Sequence, residues 1–130
     1  MKAFKVIDPG IQTTVQDLGR PGLIKYGLPA SGAMDLRSFV IGNLLLGNPE
    51  NAAALETALQ GLKLQALTRL TIAITGADLD PWLDDHPSPQ WTGFTLKEGE
   101  VLHFKKRKKG LRAYVAMRGG VDVPEVLGSR

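Results

Sequence analysis

From Gly61 to Thr75 apolar residues fall on every second position: Leu62, Leu64 and Ala66 alternate with Lys63 and Gln65, then Leu70, Ile72 and Ile74 alternate with Thr71, Ala73 and Thr75. A period of two lines one set of side chains along one face of an extended chain, so these segments are predicted strands with one buried face. Phe4 and Val6 alternate with Lys5 and Ile7 in a short first strand that Asp8, Pro9 and Gly10 terminate. Phe94 with Leu96, Val101 to Phe104, and Leu111 to Met117 add further strands, and Glu98 with Gly99 makes a turn between them. The chain carries 15 glycines in 130 residues, above the usual roughly 7%. Many short strands with frequent glycine turns predict a mainly β fold, closed or nearly closed into a barrel. The length suits one domain spanning residues 1–130, and no internal repeat, coiled coil or low-complexity linker interrupts it.

Four stretches depart from that period. Asp35 is a plausible N-cap for a helix carrying Leu36, Phe39, Val40, Ile41, Leu44 and Leu45, with Gly47 stopping it. Asn48 before Pro49 and Glu50 has the pattern of a second, shorter helix start. The alanine-rich stretch up to Leu59 is ambiguous by propensity. The segment from Asp80 to Gly93 contains three prolines among aspartates and a histidine, and reads as a loop.

The long segment QTTVQDLGRPG, Gln12 to Gly22, followed by GLPASGAMD, Gly27 to Asp35, interleaves Gln16, Asp17, Arg20, Ser31 and Asp35 with glycines and prolines. Glycines such as Gly32 let a backbone approach another group closely, and Pro21 and Pro29 reduce the conformations lost on ordering. Apolar anchors including Val15, Leu18, Leu23, Tyr26 and Met34 argue against disorder. Two readings stay open: a structural loop whose polar groups satisfy its own backbone, or a stiff loop that presents a site.

Elsewhere, Glu56 is embedded in AAALETAL, while Arg112, Tyr114 and Arg118 share the strand face opposite Leu111, Ala113, Val115 and Met117. A carboxylate buried without a partner costs several kcal/mol, so Glu56 is expected to meet a cation such as Arg20 or Arg112, or a hydrogen-bond network. A bracing ion pair and a shared ligand site are both consistent with that. His103 beside Phe104 is expected to be a surface or satisfied core histidine. Asp78, Asp80, Asp84, Asp85 and His86 are potential metal ligands, but their spacing matches no EF-hand and turn capping explains them, so no metal is expected.

Charge and motifs narrow the classes. The net charge of +3 rests on Lys105, Lys106, Arg107, Lys108 and Lys109; without them 11 basic residues face 13 acidic ones, a net −2. That run lies between two predicted strands, on a hairpin with Gly110, and contains no aromatic residue to stack on bases, so neither nucleic acid nor a membrane is an expected partner. There is no cysteine, which removes disulfides, thiolate metal sites and a cysteine nucleophile. No 18-residue apolar run and no signal-peptide h-region occur, so the expected location is cytoplasmic. GxxxxGK[ST], GxSxG and HExxH are all missing, leaving ATP binding through a P-loop unsupported.

Several motifs together carry a resemblance. QTTVQDLGRPG, GLPASGAMD, AALETALQG at Ala53 to Gly61, ITGAD at Ile74 to Asp78 and RAYVAMRGGVDVPEVLGSR from Arg112 onward resemble, in order and spacing, the family of the C subunit of 5-oxoprolinase. That family is also described as biotin-dependent carboxyltransferase-like or allophanate hydrolase subunit 2-like. The resemblance implies a cyclophilin-like β-barrel, one of two in a longer protein of which this chain matches the amino-terminal half. It favours a strand around Leu55 to Leu59. It further implies a subunit that works with 5-oxoprolinase subunits A and B, opening the lactam of 5-oxoproline to L-glutamate at the expense of ATP, the isolated chain being inactive. On that footing Asp17, Asp35 and Glu56 are the catalytic candidates. Gln16, Arg20, Ser31, Gly32, Arg112 and Tyr114 are the substrate-binding candidates, with Arg20 for the anion. The same motifs resemble a carboxyltransferase of the urea carboxylase type, which uses biotin; the acceptor would lie elsewhere, because AMRG at Ala116 to Gly119 has Arg118 where that motif has lysine. A regulatory module antagonising a kinase inhibitor is the third reading.

Overall fold

A computed structural model describes residues 3–17 and 35–121 of the protein. Its elements run in chain order as β1 (Phe4–Pro9), β2 (Gln12–Gln16), α1 (Leu36–Leu45), β3 (Ala54–Ala58), β4 (Leu62–Ala66), β5 (Leu70–Asp78), β6 (Pro81–Leu83), β7 (His86–Pro87), β8 (Gly93–Leu96), β9 (Val101–Phe104) and β10 (Lys109–Met117). The mainly β expectation holds. Among the described residues the strands do not close into one ring. They form two five-stranded sheets, β1-β4-β9-β6-β7 and β2-β3-β10-β5-β8, with antiparallel pairing throughout. The alternating residues fix which faces meet. Leu62, Leu64, Leu102 and Phe104 of the first sheet pack on Leu55, Ile72, Ile74, Val115 and Met117 of the second, all fully buried or nearly so. Burying each such side chain contributes roughly 1.5–3 kcal/mol, so this shared interior dominates the stability of the fold.

Two predicted loops contain strands. Gln12–Gln16, the start of the polar glycine-rich segment, pairs along its whole length with Ala54–Ala58; consecutive Thr13, Thr14 and Val15 are β-branched residues that suit a pleated edge. Within Asp80 to Gly93, β6 and β7 form a small hairpin, with Trp82 opposite Pro87 and Leu83 opposite His86. A proline is tolerated there because β7 is an edge strand. The aspartates are spent on hydrogen bonds: Asp78 caps a turn by accepting from the Asp80 amide at 2.9 Å, Asp80 accepts from the Trp82 indole at 2.9 Å, and Asp84 accepts from the Val101 amide of β9 at 3.0 Å. The basic run is not the tip of the expected hairpin, because β9 and β10 belong to different sheets: Lys105 to Lys108 link one sheet to the other, and Lys109 and Gly110 already begin β10. Lys105 sits 4.1 Å over the Trp82 ring and Lys108 is 3.4 Å from Asp80.

The helix starts where expected but turns a different face inward. Leu36, Leu44 and Leu45 are 52%, 54% and 41% exposed, whereas Ser38, Phe39, Gly42, Asn43 and Leu46 are buried. The reason is close approach. The sheet presents Ala54, Ala73 and Ala116 to the helix, and a Cβ placed on Gly42 would lie 3.3 Å from both Ala116 Cβ and Thr75 Oγ1. Small residues meeting small residues let the two backbones draw together, and larger apolar side chains would hold them apart. Nor does Asn48 begin a second helix. Its buried amide donates to Asn43 Oδ1 and to the Met117 carbonyl and accepts from the Gly119 amide, tying the end of α1 to the end of β10, while residues 50 and 51 form a turn.

Candidate functional site

Register assembles a row of polar side chains that are far apart in sequence. In the second sheet Thr14 of β2 stands opposite Glu56 of β3, Glu56 opposite Tyr114 of β10, and Tyr114 opposite Thr75 of β5. Directly paired residues of antiparallel strands share a face, so the four line up across the sheet on the side that α1 covers. Ala54, Ala73 and Ala116 on that same face explain why the row is accessible to a helix terminus.

Tyr114 is the centre of this row. It is fully buried, its ring meets Phe39 of α1 edge to face at 6.3 Å, and its hydroxyl donates to Glu56 Oε2 at 2.5 Å while accepting from the Asp35 amide at 2.9 Å. Burial first, and the Glu56 carboxylate second, push the phenol far above its ordinary range, so Tyr114 stays protonated and acts as a donor. Glu56 is 8% exposed and also has its Oε1 at 3.8 Å from Arg112 Nε, an ion-pair distance, with the guanidinium half-buried. Of the two partners expected for Glu56, Arg112 is therefore present, joined by a phenol that residue spacing alone did not single out as its neighbour.

Asp35 closes the cluster from the helix side. Its carboxylate accepts from the Ser38 amide at 3.1 Å and the Ser38 hydroxyl at 2.6 Å, as a helix N-cap should. The Ser38 side chain and then its amide hold the Asp35 carboxyl below the usual aspartate range. Thr75 Oγ1 donates to the Ser38 carbonyl at 2.7 Å, so the first turn of α1 is bonded to β5 as well as to β10. At the other side Gln16 donates to Thr14 Oγ1 at 2.8 Å, and Asp17 follows it, half-buried.

A lowered carboxyl pKa has a definite consequence. Stability from the Asp35 cap is fully present above the ordinary aspartate pKa of about 4 and is lost as pH falls below it, through the depressed folded value. Asp35→Ala should remove about 1 kcal/mol at neutral pH, and the loss should shrink as the wild-type cap protonates. Thermal unfolding of both proteins between pH 7 and pH 3 checks this: the two curves should converge toward the acid end, and parallel curves would contradict it.

Of the sequence-level candidates, Gln16, Asp35, Glu56, Arg112 and Tyr114 are placed on or beside one face of the second sheet, and Asp17 directly follows the end of β2. Arg20, Ser31 and Gly32 lie outside the described residues. Thr14, Ser38 and Thr75 were not singled out as functional. Their even spacing along strands or their place in a cap is visible, but their proximity to Glu56 depends on strand pairing. His103 is on the other sheet, opposite Lys63 and Trp82, where burial and then Lys63 lower its pKa and keep it neutral. Among the described residues no three histidine or acidic side chains gather as a metal site.

Residues 26–130 match the model of the carboxyltransferase domain, subdomain A and B. The chain belongs to that family. Within this carboxyltransferase-like family, the C subunit of 5-oxoprolinase from Escherichia coli is 44% identical over 97% of this chain, which spans 41% of that relative. Urea amidolyase of Lachancea kluyveri is 45% identical over 98% of the chain, which spans 7% of the longer enzyme. The crystal structure of the K. lactis urea amidolyase superposes with a TM-score of 0.87 at 43% identity, covering 98% of this chain and 8% of that one. The crystal structure of TTHA0988 superposes with 0.85 at 35% identity, covering 93% and 46%. The carboxyltransferase-like chain thus spans less than half the length of each of these proteins.

Proposed function

We propose that the protein is part of an ATP-dependent 5-oxoprolinase that opens the lactam of 5-oxoproline to L-glutamate with companion subunits of the A and B kinds, in the cytoplasm. The supporting observation is the Arg112–Glu56–Tyr114 constellation, a guanidinium beside a carboxylate that is itself held by a buried phenol. It stands in a chain 44% identical to a relative whose name makes it one subunit of such an enzyme. Opening a lactam requires water to add to the ring carbonyl carbon, the C–N bond to break and the ring nitrogen to leave with a proton. Glu56 has the chemistry to carry that proton between water and nitrogen, and Arg112 to hold the substrate carboxylate. A nucleotide triphosphate does not suit the described cluster, because the Arg112 guanidinium already faces the Glu56 carboxylate and the sequence carries no P-loop. We therefore assign the ATP site to the companion subunits.

The urea amidolyase relative and the 0.87 superposition on the K. lactis enzyme favour a second reading, carboxyl transfer to urea with biotin carried elsewhere. One experiment separates the two. The chain is purified with companion subunits and assayed for glutamate from 5-oxoproline and ATP, and in parallel for urea carboxylation. Glutamate formation supports the first reading; urea carboxylation with no glutamate replaces it. Tight partner binding with neither turnover favours the regulatory module.

A further inference from the structure

We infer that Tyr114 is a positioning residue that aims the Glu56 carboxylate, and that it does not contact substrate; this rests on the reading of Glu56 as the proton carrier. The first argument is saturation. A phenol offers one O–H to donate and accepts comfortably from one donor, and here the donor goes to Glu56 at 2.5 Å and the acceptor is taken by the Asp35 amide at 2.9 Å. With the ring fully buried and edge-on to Phe39, no part of Tyr114 is left for a ligand.

The second argument is where the relay ends. The Asp35 amide is at the N-cap of α1, and that cap is fastened by Ser38, whose carbonyl accepts from Thr75 on β5. Glu56 Oε2 is thereby referred through one phenol to a helix terminus that is bonded to two separate strands. A carboxylate on an otherwise flexible two-methylene side chain is held in one rotamer, and its other oxygen faces Arg112. Proton transfer requires heavy atoms about 2.6–3.2 Å apart, so a small displacement of this carboxylate is costly to rate. The sequence-level role of Tyr114 as a substrate ligand is thus replaced by an indirect one.

The test uses the full chain assembled with its companion subunits, and the chain alone for spectroscopy. Tyr114→Phe keeps the ring packed on Phe39 and deletes the hydroxyl. The expected result is a fall in kcat of roughly tenfold or more with KM within about twofold, since the substrate contacts are untouched while the proton carrier is misaimed. Proton NMR of the wild-type chain should show a slowly exchanging, far-downfield hydroxyl resonance. It should vanish in Tyr114→Phe and move upfield in Glu56→Gln, where a neutral oxygen accepts. The Asp35 amide should exchange faster in Tyr114→Phe. A KM raised tenfold with kcat kept would mean that Tyr114 binds substrate, and an unchanged kcat and KM would mean that it does not aim Glu56; either sinks the inference. An absent resonance in the wild type does so too, independently of any substrate. If the wild-type assembly turns over neither 5-oxoproline nor urea, the functional reading fails by itself, and the resonance and the Asp35 exchange still decide whether the relay exists.

Discussion

On the proposed reading of Glu56 as the proton carrier, Glu56→Gln should lower turnover of the assembly with its companion subunits by at least about a hundredfold, the ordinary contribution of a positioned general acid or base. The substitution is nearly isosteric. The glutamine carbonyl still accepts the Tyr114 hydroxyl, and the amide replaces an ion pair with Arg112 that is already long at 3.8 Å. The melting temperature should therefore change by only a few degrees, and the loss should appear in kcat. Glu56→Ala is a harsher change, because it leaves a buried phenol without its acceptor and costs about 1–3 kcal/mol in addition. Measuring steady-state glutamate formation together with thermal unfolding separates the two effects. Activity within about threefold of wild type in a well-folded Glu56→Gln assembly would return Glu56 to a purely bracing role.

Gly76→Ala should destabilise the fold by about 3 kcal/mol, among the largest effects of any single methyl group in this chain. Gly76 has φ +88°, a left-handed value that disfavours any Cβ, and an added Cβ would lie 2.6 Å from the Arg112 carbonyl oxygen. Both the strain and the clash fall on backbone, which has little room to give. The position is also where β5 and β10 lose regular register, between the Lys109 and Ala113 pairings. Pushing β10 away there displaces Arg112 and Tyr114 together, so residual activity of any folded fraction should fall as well. Denaturant unfolding of the two proteins checks the stability, and a difference below about 1 kcal/mol would contradict the argument.

Much of the scaffold was legible because its signals are local. Period-two alternation in Leu62 to Ala66 and Leu70 to Ile74 reports which side chains share a face, and Asp35 ahead of a helix-period apolar run with Gly47 after it marks a helix. Local signals failed where packing partners decide. Leucines 36, 44 and 45 were natural choices for a buried stripe, yet the sheet facing α1 is lined with alanines, so the Gly42 side packs instead. Asn48 has the local pattern of a cap, but its amide finds better partners on β10. Gln12–Gln16 lies within a stretch dominated by turn residues, and only the open edge of β3 makes a strand of it.

The chain by itself therefore determined a mainly β, glycine-turned fold, one capped helix, and the presence of a carboxylate, a guanidinium and a phenol within apolar strands. Tertiary structure decided that Thr14, Glu56, Tyr114 and Thr75 stand in one row and that the phenol is spent between Glu56 and the Asp35 amide. The reason is register: alternation reveals the face on which a side chain lies, but only the hydrogen-bonded pairing of strands chooses its neighbour across the sheet.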